Sequence, residues 1–529
     1  MSKEFFAKEA ISQIPKILTL LDRNPHSPTY GCFDRNFWHY KIIDFPSGMA
    51  QEFVWPLALA YESNVTNNPF YEKPAIKEWV EAGILFASRS AHTDGSCDDY
   101  FPYERALGAT AFSLLACIES YILLGIKDET ALRFFEKRGD WLANYQESGQ
   151  LSNHQALITL CLELLSRLFN TTKWDRLKEK RLERLLSWQS PEGWFQEYEG
   201  CDPGYLTLTI SLLARLYELR PTPKLKESLV RAVNFAWHFL HPDGSYGGEY
   251  GSRNTYNFFP NGFELVGKWM PEALSINDHF LIGLANGLSP CYGDDHIIGL
   301  HAWSYLLAFR DFVVERSQPI PRPKGRTWFK EAKILIDRRD DTELYIALNK
   351  GGVFKLFRNN QLVLSDTQFS LMVKDGEIKN AVGHLIDKYK ININENEILI
   401  EGTLGWAKHI KTTPTALIAF RLLMISIGRL FPNLIRRLLQ KMLITSKREA
   451  PFTFSRRFRW ENKRWKIIDE LRAESWKNVV SAGIGCDQTS IYNVMSRTFQ
   501  IGQLQPWYDH TDEVKKLSPG QPLKLERNL

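Results

Sequence analysis

Asp94-Gly95-Ser96 and Asp243-Gly244-Ser245 are two copies of a loop signature that recurs through the N-terminal half of this sequence. The related copies are Asp44-Phe45-Pro46-Ser47-Gly48, Glu147-Ser148-Gly149, Glu192-Gly193-Trp194 and Gly293-Asp294-Asp295. Their acidic anchors stand about fifty residues apart, and a fixed period of this size indicates one supersecondary unit used repeatedly. Apolar stretches at helical spacing fill each interval and are long enough for two helices. The sequence therefore predicts a series of six helical hairpins.

Six hairpins with their loops in phase are typical of a closed α/α toroid, in which equivalent loops gather at one mouth. Residues 106–115 and 206–214 are apolar nearly all round and predict inner helices, because a helix buried on every side has no polar face. The more polar residues 174–188 predict a helix of the outer ring. Long ligands such as sugar chains can lie in such a mouth, so we expect the functional surface there.

The domain organisation follows from a change in composition, because 529 residues are too many for one ordinary core. Residues 1–316 predict the toroid. Residues 317–326 hold three prolines, which disfavour helix and sheet alike and predict a linker. Residues 327–529 predict an antiparallel β domain with a helical insertion at about 415–446. The predicted fold class is α+β multidomain, an α/α toroid followed by a β-sandwich.

Short apolar segments rich in β-branched residues and bounded by turn residues predict the strands of the second domain. They are residues 333–337, 343–348, 353–357 and 397–401, with turns at Asn359-Asn360 and Asp375-Gly376. Residues 453–460 and 465–469 flank a polar turn and predict a hairpin.

The helical insertion combines a large apolar face with basic side chains. Leu, Ile, Phe and Met occupy one side of residues 415–444, and the other side carries Arg421, Arg429, Arg436, Arg437 and Lys441. Its longest uncharged run is too short to cross a bilayer. The pattern is typical of a helix that lies on an anionic membrane surface. The alternative is a helix packed on the sheet with its arginines in water.

Charge and cysteine usage exclude several classes of protein. A net charge of +5 is small for this length and gives nucleic-acid binding no support. Seven scattered cysteines without a CxxC pair argue against a disulfide framework and a thiolate zinc site. The first residues lack the apolar core of a secretory signal. We expect a cytoplasmic protein, peripheral at the inner face of the membrane if the insertion binds lipid, with no metal or other cofactor; Asp294-Asp295-His296 is interpreted as a solvated loop.

Polar side chains at three successive loops are the candidates for chemistry. Asn153 and His154 stand where the third loop meets an apolar helix, and Tyr205 holds the equivalent place after the fourth loop. Arg253 belongs to the fifth loop, whose glycines let the backbone approach a ligand closely. Further candidate contacts with a ligand in the mouth are Tyr103, Glu104, Trp194, Glu197, Tyr246, Tyr250 and Asn254.

Asn153-His154 at a helix start, with Tyr205 in the next hairpin, resembles the heparinase II/III and alginate-lyase group of polysaccharide lyases. Members of that group pair an incomplete helical toroid with an antiparallel β domain, and the likeness in architecture covers nearly the whole chain. The resemblance implies β-elimination at a uronic acid residue of an acidic polysaccharide or oligosaccharide. It implies that Asn153 and His154 bind the carboxylate and stabilise the enolate-like charge. Tyr205 would remove the adjacent proton or protonate the leaving oxygen, and Arg253 would hold a carboxylate.

Two features depart from that group. Its members often carry a histidine-rich stretch in the sheet domain, for which this sequence offers only Gly383-His384. They are also usually exported, whereas no signal is visible here. A cytoplasmic, membrane-associated role in making or modifying an acidic exopolysaccharide fits these departures better than cleavage of an external polymer.

Each candidate also has a purely structural interpretation. These interpretations are a helix cap for Asn153, a hydrogen-bonded structural residue for His154, a loop anchor for Tyr205, and for Arg253 a brace through Glu249 or Glu264.

Three other functions are compatible with the pattern. A six-hairpin glycoside hydrolase needs two carboxylates across the scissile bond, and the candidates are Asp98, Asp99, Glu104, Glu197, Asp202 and Glu249. A non-catalytic glycan-binding scaffold would keep the lyase frame without the sheet histidine. A terpene-cyclase relative would also use a helical toroid, but the β domain is foreign to that group.

Overall fold

Helices fill the first part of the chain and strands the second. A computed structural model describes residues 2–147, 149–198, 200–288, 291–292, 295–316, 318–407, 411–440, 447–486, 496–497, 504–505 and 507–529. The helices are α1 (Glu4–Leu20), α2 (Arg35–Trp38), α3 (Val54–Glu62), α4 (Pro74–Ser90), α5 (Leu107–Leu123), α6 (Glu129–Asn144), α7 (Ser152–Leu168), α8 (Asp175–Ser187), α9 (Pro203–Leu219), α10 (Pro223–Trp237), α11 (Asn261–Gly267), α12 (Glu272–Ala285) and α13 (Asp295–Arg310), with a 3₁₀ turn at Met49–Phe53.

Six of these helices form a closed inner ring. Helices α3, α5, α7, α9, α11 and α13 contact one another in this order, and α13 contacts α3. Helices α4, α6, α8, α10 and α12 pack outside their inner partners, and the N-terminal α1 packs on α13 as the sixth outer helix. The predicted α/α toroid of six hairpins is confirmed. The ring is complete rather than open, because the chain's first helix supplies the missing outer member.

The long connections all lie at one end of the ring, where an outer helix leads into the next inner helix. They are residues 21–53, 91–106, 145–151, 188–202, 238–260 and 286–294. Each predicted acidic anchor falls in one of them, although Asp294 itself lies outside the described residues. The connections at the opposite end are mostly short, as at residues 124–128 and 220–222. The repeated loops therefore form one mouth, as predicted.

The recurring Asp-Gly-Ser turn holds the hairpins together through the same contacts in each copy. Asp94 Oδ1 accepts hydrogen bonds from the N–H and the hydroxyl of Ser96, at 3.1 and 2.6 Å, and Asp243 makes the equivalent pair. Gly95 and Gly244 adopt φ values of +88° and +87°. A Cβ at these positions would lie 2.8 Å from the backbone of α6 and 2.3 Å from that of α12. Only glycine permits this approach of the turn to the following outer helix.

The second part of the chain forms two main antiparallel sheets. The strands are β1 (Cys291–Tyr292), β2 (Gly325–Phe329), β3 (Ile334–Arg339), β4 (Thr342–Ala347), β5 (Val353–Arg358), β6 (Gln361–Asp366), β7 (Phe369–Asp375), β8 (Glu377–Val382), β9 (Lys390–Ile393), β10 (Glu397–Ala407), β11 (Glu449–Glu461), β12 (Arg464–Ala473), β13 (Val479–Gly485), β14 (Ser496–Arg497), β15 (Trp507–Asp509) and β16 (Leu523–Asn528). One sheet has the order β2-β3-β4-β5-β6, and the other has the order β15-β13-β7-β8-β10-β11-β12-β16 with β9 beside β10.

Turn chemistry and pairing agree with the sequence-based expectations for these strands. Asn359 and Asn360 have φ values of +49° and +62° and join β5 to β6, as a two-residue hairpin turn of the mirror type requires. The hairpin predicted around residue 462 is β11–β12, with Arg456 opposite Asp469. The insertion consists of α14 (Pro414–Leu423), a π-helical turn at Met424–Gly428 and α15 (Pro432–Gln440), and a short α16 (Thr511–Lys515) follows later.

The five-stranded sheet lies between the toroid and the large sheet, so both of its faces are buried. Leu335 and Phe354 belong to the core between the two sheets. Ile336 and Tyr345, which point the other way, belong to the core of the toroid. Successive side chains of a strand alternate between faces, and here both faces meet apolar partners. The β domain is therefore a sandwich whose smaller sheet also closes against the helical ring.

Candidate active site

Glu197 of the fourth loop caps the inner helix that begins at the third loop. Its Oε1 accepts hydrogen bonds from the backbone N–H of Asn153 at 3.0 Å and from Asn153 Nδ2 at 2.9 Å. Ser152 Oγ donates to the carbonyl of Gln196 at 2.7 Å. Helix α7 has no side-chain cap from its own segment. The interpretation of Asn153 as a helix cap is therefore wrong, because its amide bonds a carboxylate of the neighbouring loop.

The carboxyl of Glu197 is buried, and burial raises its pKa to about 7. Hydrogen bonds from Asn153 and the nearby His154 act in the opposite direction, while Asp202 adds to the rise. Within the described part of the chain, Glu197 Oε2 and Asn153 Oδ1 have no hydrogen-bond partner. Buried polar atoms without a partner are uncommon in proteins, so both atoms are candidates to bond a ligand.

His154 is held in one orientation by two neighbours. Its Nδ1 lies 2.8 Å from Glu147 Oε2, and its ring lies against Gly108 of the adjacent inner helix α5. A Cβ on Gly108 would come within 2.9 Å of His154 Cε1 and 3.0 Å of Nε2. With Nδ1 bonded to the carboxylate, Nε2 is the ring atom that can accept a proton. The side chain keeps 18% of its surface exposed.

Asp202 fixes Tyr205 and Arg253 relative to one another. Asp202 Oδ1 accepts the N–H of Tyr205 at 3.0 Å and so caps α9, and Oδ2 accepts the N–H of Arg253 at 2.9 Å. Burial raises the pKa of Tyr205 above its usual value, the Arg253 charge opposes this rise, and Glu197 adds to it. The guanidinium of Arg253 lies 3.9 Å from the centre of the Tyr198 ring. The phenol of Tyr205 is therefore the form present at neutral pH.

These contacts bring one cluster together from three successive loops. His154 and Asp202 are close enough for their charges to shift the pKa of Glu197, and Glu197 and Arg253 likewise affect Tyr205. The members of this cluster are Asn153, His154, Glu197, Tyr205 and Arg253. It offers an amide, an imidazole, a carboxyl, a phenol and a guanidinium at the mouth of the ring.

Lys350 of the β domain shapes the fifth loop. Its Nζ donates to the carbonyls of Glu249 and Gly251, at 2.6 and 2.9 Å, and to Asn254 Oδ1 at 2.5 Å. Burial lowers the pKa of Lys350 to about 8, against the nearby charges of Asp202 and Glu249. The Asn254 side chain, predicted to bind a ligand, thus accepts a bond from the second domain. The sequence analysis did not identify Lys350, because no pattern in its own segment indicates a contact with the fifth loop.

Two predicted substrate contacts lie in the core instead. Tyr246 and Tyr250 are each 1% exposed. The Tyr250 hydroxyl lies 2.9 Å from His241 Nε2, and its ring stacks on Tyr345 of the small sheet. Tyr246 packs edge-on against Phe258. The prediction is wrong for both tyrosines, because aromatic residues of the fifth loop fill the space between toroid and sheet.

Two other predicted contacts brace their own loops. Trp194 is buried and its Nε1 donates to Glu192 Oε2 at 3.1 Å. Glu104 is buried and its Oε2 accepts backbone N–H groups of the second loop at 2.8 and 3.2 Å. Tyr103 is half-buried and stacks on His92 with centroids 6.0 Å apart. Of the three, Tyr103 keeps the surface that a ligand could contact.

Several carboxylates considered for a hydrolase are engaged in structural bonds. Asp98 contacts His92 Nε2 at 2.8 Å and accepts the N–H of Tyr103 at 2.7 Å. Asp99 Oδ1 accepts the Ser47 hydroxyl at 2.6 Å. Glu249 is 1% exposed and is bonded by Tyr256, Ser365 and Lys355. These roles weigh against a pair of free acids flanking a glycosidic bond.

The two acids considered as structural partners of Arg253 are paired with other basic side chains. Glu264 Oε1 is 2.7 Å from Arg316, and Glu249 Oε2 is 3.4 Å from Lys355 Nζ. The brace through either acid is therefore wrong.

His384, the weak match to the sheet-domain histidine, is buried in the β domain with Nδ1 2.9 Å from the Thr367 carbonyl. Burial and the charge of Lys350 together lower its pKa to about 4, against the opposing effect of the Thr367 hydrogen bond. His384 is neutral at neutral pH and lies near the lysine that holds the fifth loop.

Within the described ranges, no group of three or more His, Cys, Asp or Glu side chains could hold a metal. The side chains of residues 291–296, which include the Asp294-Asp295-His296 cluster, lie outside the described part. Six described cysteines are free and buried.

The fold has counterparts among solved structures. A xanthan lyase from Paenibacillus superposes with a TM-score of 0.52 at 10% identity, over 91% of this chain and 46% of that one. A chondroitin AC lyase from Streptomyces coelicolor superposes with a TM-score of 0.52 at 9% identity, over 91% of this chain and 67% of that one. The fold is that of the α/α-toroid polysaccharide lyases. The chain spans about half the length of the xanthan lyase.

The likeness to these polysaccharide lyases confirms the resemblance seen in the sequence at the level of the fold. The Streptomyces coelicolor lyase is also described in complex with chondroitin sulphate, again with a TM-score of 0.52. No protein-family model matches the sequence, and no curated protein sequence matches it. At about 10% identity the shared architecture does not assign roles to side chains, so those of Asn153, His154 and Tyr205 stay predictions.

Proposed function

We propose that this protein acts on an acidic, uronate-containing polysaccharide by β-elimination. The observation that carries the proposal is the cluster of Asn153, His154, Tyr205 and Arg253 around the buried carboxyl of Glu197, at the mouth of a lyase-type toroid. The fold neighbours named as lyases of xanthan and chondroitin support the same class of substrate.

The first requirement of this reaction is to acidify the proton next to the uronate carboxylate. Arg253 and the amide of Asn153 supply positive charge and a hydrogen-bond donor, which stabilise the charge that develops on the carboxylate in the transition state. Glu197 with a pKa of about 7 is protonated in part at neutral pH. In its neutral form it adds no negative charge beside the bound anion.

The second requirement is a pair of proton transfers. His154 Nε2 accepts the proton from the carbon next to the carboxylate, and the electron pair of that C–H bond forms the new double bond. The bond from the neighbouring carbon to the glycosidic oxygen breaks, and that oxygen takes a proton from the Tyr205 hydroxyl. Because burial and the nearby carboxyl keep Tyr205 protonated, its phenol carries the proton that the leaving oxygen needs.

The test is to treat alginate, heparinoid, pectic and bacterial exopolysaccharides with purified protein and to determine the mass and ultraviolet absorbance of the product ends. Unsaturated uronyl ends are expected from the wild type and from the control Tyr246→Phe, and none from Tyr205→Phe. Wild-type activity in Tyr205→Phe would remove Tyr205 from the mechanism. Product ends that have gained a water molecule would indicate a hydrolase, and binding without any product would indicate a scaffold.

The cellular role proposed for this reaction is the synthesis or modification of an exopolysaccharide in the cytoplasm, at the inner face of the membrane. Its support is the basic, apolar insertion of the β domain.

A further inference from the structure

The helical insertion of the β domain lies on the rim of the toroid mouth. Phe420 of α14 packs edge-on against Phe101 of the second loop, with ring centroids 5.3 Å apart. Arg421 Nη2 lies 3.0 Å from Asp44 Oδ1 of the first loop. Helix α14 is therefore fixed to two of the six mouth loops.

Helix α15 reaches the third loop, which precedes the helix that carries His154. Asn433 accepts a hydrogen bond from the Tyr145 hydroxyl. Tyr145 stands two residues before Glu147, whose carboxylate bonds His154. The insertion and the candidate site therefore share the third loop.

Most of this insertion's apolar surface has no partner among the described residues. Phe420, Met424 and Ile435 face the protein, and Met424 and Ile435 are buried. Ten large apolar side chains are between 38% and 67% exposed: Leu417, Ile418, Leu422, Leu423, Ile425, Ile427, Leu430, Phe431, Leu434 and Leu438. Soluble proteins rarely expose so many apolar side chains on one element without a binding partner.

The charged side chains of the insertion itself are all basic. Between Glu401 and Glu449 the sequence has nine Lys and Arg residues and no Asp or Glu. Arg429, in the turn between the two helices, and Arg437, on α15, are exposed. Among the described residues, no helix is long and apolar enough to span a bilayer.

We propose that α14 and α15 dock on an anionic lipid bilayer and hold the mouth of the toroid beside it. The exposed apolar side chains enter the boundary of the acyl region, and the arginines lie among the headgroup phosphates. Since α14 and α15 are fixed to the first three mouth loops, docking brings the cluster around Glu197 close to the membrane. A mouth held beside the membrane favours, as its substrate, an acidic polymer that is itself held at the lipid surface; this step rests on the proposed function.

Charge complementarity favours lipid over other occupants. A soluble polyanion would pair the arginines but leave the ten apolar side chains in water. A second copy of the chain would cover them but bring two sets of nine basic residues together without an acidic residue between 402 and 448 to offset them. An anionic bilayer covers the apolar side chains with its acyl region and pairs the basic side chains with its headgroups.

The test measures co-sedimentation of the full chain with phosphatidylcholine vesicles, with and without phosphatidylglycerol. We expect binding to the anionic vesicles that weakens with salt. Leu430→Glu with Phe431→Glu should lower the partition coefficient by about tenfold for each apolar side chain lost. Arg429→Glu with Arg437→Glu should lower it by at least about fivefold for each basic side chain. Ile378→Glu, at an exposed apolar position of β8, and Arg133→Glu, on α6, are the matched controls and should bind normally.

Wild-type protein that does not bind anionic vesicles, or a Leu430→Glu/Phe431→Glu variant that binds as well as wild type, would overturn the docking. A vesicle-free dimer abolished by the same variant would show an interface between copies instead. Activity on a soluble acidic polysaccharide separates this proposal from the reaction. Docking variants should retain that activity, whereas a failure of the proposed chemistry removes it and leaves vesicle binding intact.

Discussion

Replacing Glu197 by glutamine tests how an ionisable carboxyl buried in the mouth affects the stability of the protein as the pH changes. Glutamine keeps an oxygen that can accept both hydrogen bonds from Asn153 but does not ionise. In the native protein, burial raises the pKa of Glu197 from 4.5 to about 7. The folded state therefore holds a proton through a pH range in which the unfolded chain has lost it.

The sign and size of the effect follow from proton linkage. Between pH 4.5 and 7 the native state binds more protons at this site than the unfolded state, so the free energy of unfolding falls as pH rises. The full pKa difference corresponds to about 3 kcal/mol of stability, which is present in full below pH 4.5 and is lost progressively as the pH rises to 7. For 529 residues, an unfolding entropy of about 2.1 cal/mol/K per residue means that about 3 kcal/mol shifts the melting temperature by about 3 °C.

The assay is scanning calorimetry of wild type and Glu197→Gln at about pH 5 and about pH 8. The melting temperature of the variant should rise relative to that of wild type by about 3 °C between the two pH values. Glu218→Gln is the control: burial alone would raise the pKa of Glu218, but hydrogen bonds from Lys268 and Arg215 lower it below 4.5. Because the stability that a lowered pKa provides is complete above pH 4.5, that variant should differ from wild type by the same amount at both pH values. A melting difference for Glu197→Gln that is the same at both pH values would refute the inference that this carboxyl holds its proton.

Two further changes test how the site is positioned. Gly108→Ala should displace the His154 ring, because its Cβ would lie 2.9 Å from Cε1, and should lower kcat by about tenfold to a hundredfold; an unchanged kcat would show that the ring orientation does not matter. Lys350→Met should release the fifth loop by removing three hydrogen bonds, which proteolysis and hydrogen exchange across residues 249–254 would detect. The same exchange rates in wild type and variant would contradict a bracing role for Lys350.

The toroid and its mouth could be predicted because their determinants are local and repeated. Gly95 and Gly244 mark turns that press on the next outer helix, and a local turn repeated at a constant period reveals the architecture without knowledge of contacts. Asn153, His154 and Tyr205 could be found for the same reason, since each stands at the start of an inner helix.

What the sequence did not reveal depends on contacts between distant segments. The capping of α7 by Glu197 joins two loops, and Lys350 reaches the fifth loop from another domain. Tyr250 belongs to a mouth loop, which favours contact with a ligand, whereas the small sheet covers it. Arg456 belongs to β11, a strand with several basic residues, which suggests an exposed side chain. It is nevertheless fully buried and forms ion pairs with Asp366 and Asp469 between the two sheets. None of these partners is encoded in the neighbouring residues.

Glu197 also separates a catalytic protein from a scaffold that keeps only the lyase frame. A glutamine would hold Asn153 in the same way without the loss of about 3 kcal/mol at alkaline pH. The buried carboxyl of Glu197 lowers the stability of the protein at alkaline pH. Functional sites often contain such groups, because a perturbed pKa can serve the reaction at the expense of stability. Activity that falls in Glu197→Gln while stability rises would show that the proton of Glu197 takes part in the reaction, beyond keeping the site neutral. Equal activity in both would leave the carboxyl as a structural cap, and the chemistry would then depend on the other members of the cluster.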